Sequence, residues 1–521
     1  MAFKKIALGM LAGVALGANA QAADVDHVLL ISVDGLHALD VANFVEANPN
    51  SALAELSRHG ITYSNAHTPA NSDSFPGLLA LVTGGSPISH GLFYDVSYDR
   101  TFFDPTNTNC TGSPGIPMIL DESIDVYQGL VSQNVIDPAK LPRRLNNGHC
   151  EPVFPHQAIR TNTIFEVVKA RGGRTAWADK HPAYDLVNGP SGQGVDDLYT
   201  PEITNSPAGA FDATVSVDCT VINDELKVKA IINEIRGLTH DGKPASGTPA
   251  VFGMNFQAVS VGQKLASDAG ICGGKHTGLA GGYLDGAGTP TTVLAFGLQK
   301  TDEALGDMIA ELKRRGLYES TLFIVSAKHG QSPINPKLVN KPGHFTDLVA
   351  GLPDGKTNPA ALAITNTVSC SIPPCGFVQD DDIALIWLPD QSQTKAVVDY
   401  LNTNAKDLSI QEVLGGDEIE LKFNSPLHDS RTPDIIVQPV YGTIYTGSTK
   451  KNAEHGGMSF GDTNVGLIVS NPRLKAVTIK TPVLTSQVAP TILQALDIEP
   501  EKLNSVRVEH TTILPGLWDN R

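Results

Sequence analysis

His27-Val28-Leu29-Leu30-Ile31-Ser32-Val33-Asp34-Gly35 is an apolar run with almost no polar alternation, ended by a carboxylate and a glycine. A strand that buries both faces reads this way, and such strands belong to parallel sheets covered by helices on each side. In open sheets of that kind, ligands bind where the chain leaves the carboxyl ends of the strands. Asp34 stands at such an end and is the first candidate site residue.

The same pattern recurs along the chain. Val28–Val33, Thr175–Ala178, Val251–Phe256, Leu322–Ser326, Ile383–Leu388, Ile435–Val437 and Val465–Val469 are the predicted core strands. Ser51–His59 reads as a helix stopped by Gly60, Thr301–Arg315 as one stopped by Gly316, and Thr485–Leu496 as a third. Strands alternating with helices predict an α/β fold with a mostly parallel central sheet flanked by helices. Three stretches, about 97–157, 185–248 and 331–431, read as insertions, where loops commonly carry specificity. The second contains a helical stretch near Val221–Arg236. No linker, repeat or low-complexity block divides the chain, so residues 23–521 are expected to form one core with cap insertions.

Residues 1–22 have the form of a secretory signal. Lys4 and Lys5 precede the apolar stretch Ile6–Leu16, and Ala18-Asn19-Ala20 or Ala20-Gln21-Ala22 offers small-residue cleavage. That stretch is shorter than the roughly 20 residues a membrane helix needs. The expected location is periplasmic or secreted. Cys110, Cys150, Cys219, Cys272, Cys370 and Cys375 then allow three disulfides. Cys370 and Cys375 form a local loop; Cys110–Cys150 and Cys219–Cys272 are paired by order alone. No short paired spacing marks a cysteine zinc site. The net charge of -17 argues against binding nucleic-acid polymers and leaves a small anionic substrate open.

Chemistry-bearing residues close several of these runs. Asp34 suits a hard or borderline metal, or is simply a turn aspartate before Gly35. Ser74 precedes Phe75-Pro76-Gly77 and reads as a helix N-cap, with Pro76 in the first turn. A hydroxyl there faces backbone donors and the positive end of the helix dipole, which suits a phosphate. Ser72 is the alternative nucleophile. His329 follows a strand and His455 precedes Gly456-Gly457. Lys328 ends a buried strand and needs an anionic partner. Trp177-Ala178-Asp179-Lys180-His181-Pro182 closes another strand at the same edge, so Lys180 and His181 are placed to reach substrate or to serve structure. Tyr94 and Tyr98 are candidates for an aryl pocket or for packing.

The order Asp34, Ser74-Phe75-Pro76, Thr83-Gly84, Ser89-His90-Gly91, Lys328-His329-Gly330, His455-Gly456 resembles the nucleotide pyrophosphatase/phosphodiesterase family of the alkaline phosphatase superfamily. The resemblance implies that fold, two zinc ions, and a Thr or Ser nucleophile acting on phosphodiesters and pyrophosphates. Ser74 takes the nucleophile's place, and Asp34, His329 and His455 take ligand places. His90 matches a structural residue. The departures are substantial. The family's Asp before the second-half histidine is Lys328, an Asp and His pair is replaced by Val259 and Gln263, and a phosphate-binding Asn by Asp95.

Charge favours one metal ion over two. Asp34 and Asp95 against Lys328 leave a negative site that repels phosphate, and one divalent ion, by the family's precedent zinc, makes it positive. The expected set is therefore Asp34, His329 and His455 for the metal, Ser74 and Lys328 for catalysis, with Lys328 meeting phosphate or Asp95. Asp95, Gln263 and Asn255 are the expected substrate contacts, and Lys264 lies nearby. The function expected is hydrolysis of phosphodiester or nucleotide pyrophosphate bonds in a small substrate through a phosphoserine. An impaired anion-binding member of the fold is the first rival. A sulfatase or phosphonate-type hydrolase is the second, disfavoured because Ser74-Phe75-Pro76-Gly77-Leu78 lacks the arginine of the sulfatase motif.

Overall fold

Eight strands form the central sheet of the computed structural model: β1 (His27–Val33), β2 (Gly60–Tyr63), β3 (Thr175–Ala178), β4 (Asp197–Tyr199), β5 (Val251–Phe256), β6 (Thr321–Ser326), β7 (Ile468–Ser470) and β8 (Val477–Ile479). Their order is β8-β2-β7-β6-β1-β5-β3-β4. Every pairing is parallel except those of β7, which runs antiparallel to β6 and β2. The structure describes residues 25–126, 135–369 and 375–518. The expected signal segment and Cys370 lie outside them.

The opening run sits where its composition demands. β1 is central, paired with β5 on one side and β6 on the other. Val28 and Leu30 pack with Leu322, Ile324 and the Ser74–Thr83 helix residues Leu78, Leu81 and Val82. Leu29 and Ile31 face the opposite way, onto Phe252, Phe323 and Leu294, Leu305 and Met308 of the Thr292–Arg315 helix. Each fully buried leucine or isoleucine contributes about 1.5–3 kcal/mol. Ser326, Ser32 and Asn255 lie side by side in register across β6, β1 and β5, all buried, near the edge where Asp34, Lys328 and His329 leave the sheet.

Several elements differ from expectation. Ile383–Leu388 and Ile435–Val437 are strands, but not of the central sheet. They are found as Ala384–Trp387 and Ile435–Pro439 in a separate antiparallel sheet with Phe377–Asp380 and Ile410–Gly415. That sheet is also covered on both faces: Ile386 and Val437 pack under Val397 and Tyr445, while Leu385, Trp387 and Ile436 meet Phe93, Tyr94 and Tyr98. Double burial gives the same apolar run in either sheet, so composition cannot separate them. The expected strand Val465–Val469 is broken at Gly466: Asn464–Val465 pairs with Ala66–His67, and Ile468–Ser470 joins the central sheet. A Cβ on Gly466 would lie 2.8 Å from Val41 Cγ2, so the chain bends against that neighbour. The third-quarter helix begins at Thr292 rather than Thr301, capped by Thr291, whose side chain accepts from the Leu294 amide. Gly297 conceals that start; a Cβ there would come within 2.6 Å of the Ala258 carbonyl, so it marks a close helix crossing.

Disulfides Cys110–Cys150 and Cys219–Cys272 are present, and Cys375 is also disulfide-bonded. Among the described residues no helix is long and apolar enough to cross a membrane.

Candidate active site

Asp34 follows β1 and is completely buried. Gly35 turns the chain with φ +80, and a Cβ there would meet Gln263 Oε1 at 2.5 Å. Opposite Asp34 stands the Ser74–Thr83 helix. Its N-cap is Asp73, not Ser74: the Asp73 carboxylate accepts from the Phe75 amide at 3.1 Å, and Ser74 is the first helical residue. Aspartate caps as well as serine. The shift of one position frees the Ser74 hydroxyl from capping.

Ser74 Oγ is 3.2 Å from His329 Nε2 and 3.3 Å from Lys180 Nζ. His329 Nδ1 lies 2.8 Å from the Gly330 carbonyl. A carbonyl only accepts, so Nδ1 carries the proton and Nε2 turns its lone pair toward Ser74. Nε2 is also 3.7 Å from Asp34 Oδ2. Lys180 Nζ donates to Asp34 Oδ2 at 2.7 Å and to Gln257 Oε1 at 3.0 Å. The ring of His455 lies 3.9 Å from that of His329, and its Nδ1 is 3.5 Å from Asp73 Oδ1. His329 thus lies beside Asp34, Ser74 and His455, three groups drawn from distant parts of the chain.

The electrostatics follow from burial and pairing. Burial disfavours charge on Asp34, but Lys180, Lys328 and His329 outweigh it and hold the carboxyl well below its ordinary range. Burial also works against the Lys180 ammonium, and Asp34, Asp179 and Asp73 outweigh it. Burial keeps His329 and His455 neutral, His455 the more strongly because His329, Lys264 and Lys180 add to the effect. Asp34 Oδ1, Asp73 Oδ1 and His455 Nδ1 are buried without hydrogen-bond partners. Unsatisfied carboxylate oxygens and imidazole nitrogens are metal-donor atoms.

A family model for type I phosphodiesterase/nucleotide pyrophosphatase matches residues 28–132 and 289–461. The chain belongs to that family. It is accordingly a hydrolase of phosphoric ester bonds. No curated protein matches the sequence. Among solved structures it is similar to murine ectonucleotide pyrophosphatase/phosphodiesterase 5, in an inactive variant with AMP, at 15% identity, covering 91% of this chain and 96% of that one with a TM-score of 0.54. The human counterpart is similar at 14% identity, covering 95% and 98%, with a TM-score of 0.52. Alkaline phosphatase PafA is similar at 12% identity, covering 91% and 96%, with a TM-score of 0.56. These likenesses show the alkaline-phosphatase-like fold.

Within this phosphodiesterase fold, other expected site residues are placed otherwise. Lys328 does not meet Asp95. Its Nζ is fully buried, 3.0 and 2.9 Å from the two Asp179 oxygens and 3.9 Å from the Tyr184 ring centroid. The anionic partner that a buried lysine requires is thus Asp179, the residue just after a strand end and invisible as a partner in sequence. Gln263 is committed behind the site: its amide nitrogen donates to the Gly35 carbonyl and Tyr283 hydroxyl, both at 2.8 Å, and its oxygen accepts from Gln331. Val259 is buried in the core. Asn255 is buried with both side-chain polar atoms unpartnered, in the row beneath the site. Ser72 donates to the Asp462 carbonyl and accepts from Thr68, which removes it as a nucleophile. Asp95 Oδ1 accepts from the Val96 amide at 2.7 Å; burial and then Asp73 push its pKa up to about 8.

Beside Ser74, on the Lys180 side, lies a cleft of about 580 Å³ lined by Lys180, His181, Gln257, Lys264 and Lys451. Lys264 pairs with Glu454 at 2.8 Å, and Lys451 with the same carboxylate. Gln257 carried no signal in sequence. Lys180 did, since it follows a strand that ends at the same sheet edge as Asp34.

Proposed function

We propose that this phosphodiesterase-family chain is exported to the periplasm or medium and cleaves phosphodiester or nucleotide pyrophosphate bonds of small substrates through a phosphoryl-Ser74 intermediate. The carrying observation is the position of Ser74 Oγ, between the His329 Nε2 lone pair and the Lys180 ammonium. A solved neighbour holds AMP, which makes nucleotide esters the first substrates to assay.

The donor set fits one divalent ion better than two. Asp34, His329 and His455 are the candidate ligands for one, with the unsatisfied Asp34 Oδ1 and His455 Nδ1 as support, and they would have to draw closer together to hold it. Donors for a second are lacking, because Lys328, Val259 and Gln263 are respectively a paired cation, a core residue and a committed amide. The ion, zinc by family precedent, would supply Lewis-acid activation of the serine oxygen and of phosphate.

The remaining work falls to side chains. The helix start fixes Ser74, and buried neighbours exclude bulk water from its Oγ. Lys180 donates to the oxygens gathered around Ser74 and neutralises charge that grows on phosphoryl oxygens as the serine attacks. Asp95, protonated near neutral pH, presents a neutral donor where an amide stands in relatives, and so does not repel the substrate. Lys264 and Lys451 give the cleft wall positive charge.

The test is hydrolysis of an aryl phosphodiester and of a dinucleoside pyrophosphate by the mature chain, before and after chelation, with Ser74→Ala alongside. Loss of turnover in Ser74→Ala and trapping of phosphate on the wild type support the reading. Turnover that survives Ser74→Ala rejects it.

A further inference from the structure

A second constellation lies on the far side of Lys180. Asp125 belongs to the 97–157 insertion, His181 follows β3, and Glu202 follows β4. Each offers a ligand atom, and those atoms all lie within 4.8 Å of one another. Asp125 and Glu202 are 1% and 0% exposed, so two carboxylates share one dry site. His181 Nδ1 is 2.9 Å from both Glu202 oxygens.

The groups are held as ligands are held. Thr204 fixes Glu202 Oε1 with its amide at 2.9 Å and its hydroxyl at 2.8 Å. The His181 ring lies nearly parallel to that of Tyr184, with 8° between planes and 6.3 Å between centroids. Ligands at about 2.0–2.2 Å from one ion stand roughly 3 Å or slightly more from each other, which the His181–Glu202 spacing already matches. His181 also lines the cleft beside Ser74, which gives an ion a way in.

We propose that Asp125, His181 and Glu202 form a divalent-cation site, separate from the Ser74 centre, that takes zinc or manganese. Two carboxylates and an imidazole are the donor set those ions prefer among common divalent cations. The ion replaces the protons that otherwise bridge the cluster. It also ties the first insertion to the strand end that carries Lys180, the residue next to His181.

The test uses the mature chain stripped by chelator and titrated with zinc or manganese, reading stoichiometry by calorimetry and elemental analysis. An Asp34→Asn/His329→Ala variant disables the Ser74 centre so that the second site is counted alone. One ion is expected there, with a rise in thermal midpoint on loading. Adding Glu202→Gln or Asp125→Asn is expected to weaken binding at least about tenfold, the loss typical of a disturbed metal site. Should either substitution unfold the chain, His181→Gln and the visible bands of cobalt bound to the Asp34→Asn/His329→Ala variant give the answer instead. Unchanged affinity in these variants, or no ion and no cobalt bands once the Ser74 centre is disabled, overturns the site and identifies a proton-bridged cluster.

Discussion

Lys180 shows how one ammonium can organise a buried site. It touches Asp34, Ser74 and Gln257 at once, so its removal strips a donor from the serine and leaves Asp34 undercompensated. Lys180→Met is expected to lower kcat by about 10²–10³-fold, the loss seen when one preorganised oxyanion donor is deleted. A kcat within twofold of wild type would exclude the role. Lys328 and Asp179 are the complementary case, an ion pair with no exposure on either side. Lys328→Met leaves Asp179 buried with only neutral donors, the Trp177 indole and the Lys180 amide, and about 3–5 kcal/mol of stability should be lost in urea unfolding. Lys328→Met with Asp179→Asn should recover most of that loss. Asp95 gives a pH signature. Its folded pKa of about 8 exceeds the ordinary 3.8, so the native state holds an extra proton between those values. The Asp95 contribution is therefore fully present below about 3.8 and is lost as pH rises toward about 8. Asp95→Asn should flatten that fall in unfolding free energy and preserve turnover above pH 8; parallel profiles for variant and wild type would contradict it. At this scale the sequence was half legible. Asp34, Ser74, His329 and His455 end or begin recognisable elements. The partnership of Lys328 with Asp179 and the commitment of Gln263 depend on which way side chains turn, which spacing does not encode.

The Ser74–Thr83 helix is the element on which the site depends most. It packs so close to the segment after β6 that a Cβ on Gly77 would stand 1.9 Å from the Lys328 carbonyl oxygen. Backbone cannot yield as a flexible side chain does. Gly77→Ala is expected to lever the helix start away from His329, with a stability loss of about 1–3 kcal/mol and a kcat loss of about 10²-fold from displacement of the serine. Calorimetry and kinetics on the same preparation check both; normal values for each would show that the contact is slack. Strands and helices were legible where burial writes its pattern. Gly297 interrupts the helical run and hides the Thr291 cap, and Gly466 splits what reads as one strand. Glycines that serve close approach resemble glycines that end elements, and neighbours decide which is which.

Across the molecule, insertions are pinned as well as folded. Cys219, in the Val217–Ile235 helix, is joined to Cys272 across 53 residues. Replacing both by serine should lower stability by about 4 kcal/mol on the loop-entropy estimate, read from the shift in denaturation midpoint with and without reductant. The sheet's interior was readable from the sequence, but its partition into a parallel body and a second antiparallel sheet was not. Strand composition reports burial, and sheet membership is a matter of long-range register. That register constrains the chain's birth as well as its form. β1 is the first strand to be made, yet both its neighbours, β5 and β6, begin only at Val251 and Thr321. A nascent polypeptide therefore carries this apolar segment without a sheet partner until about half of it has been made, and the centre of the sheet closes only after β6. An apolar strand left without neighbours for that long is an aggregation hazard while the chain is being made.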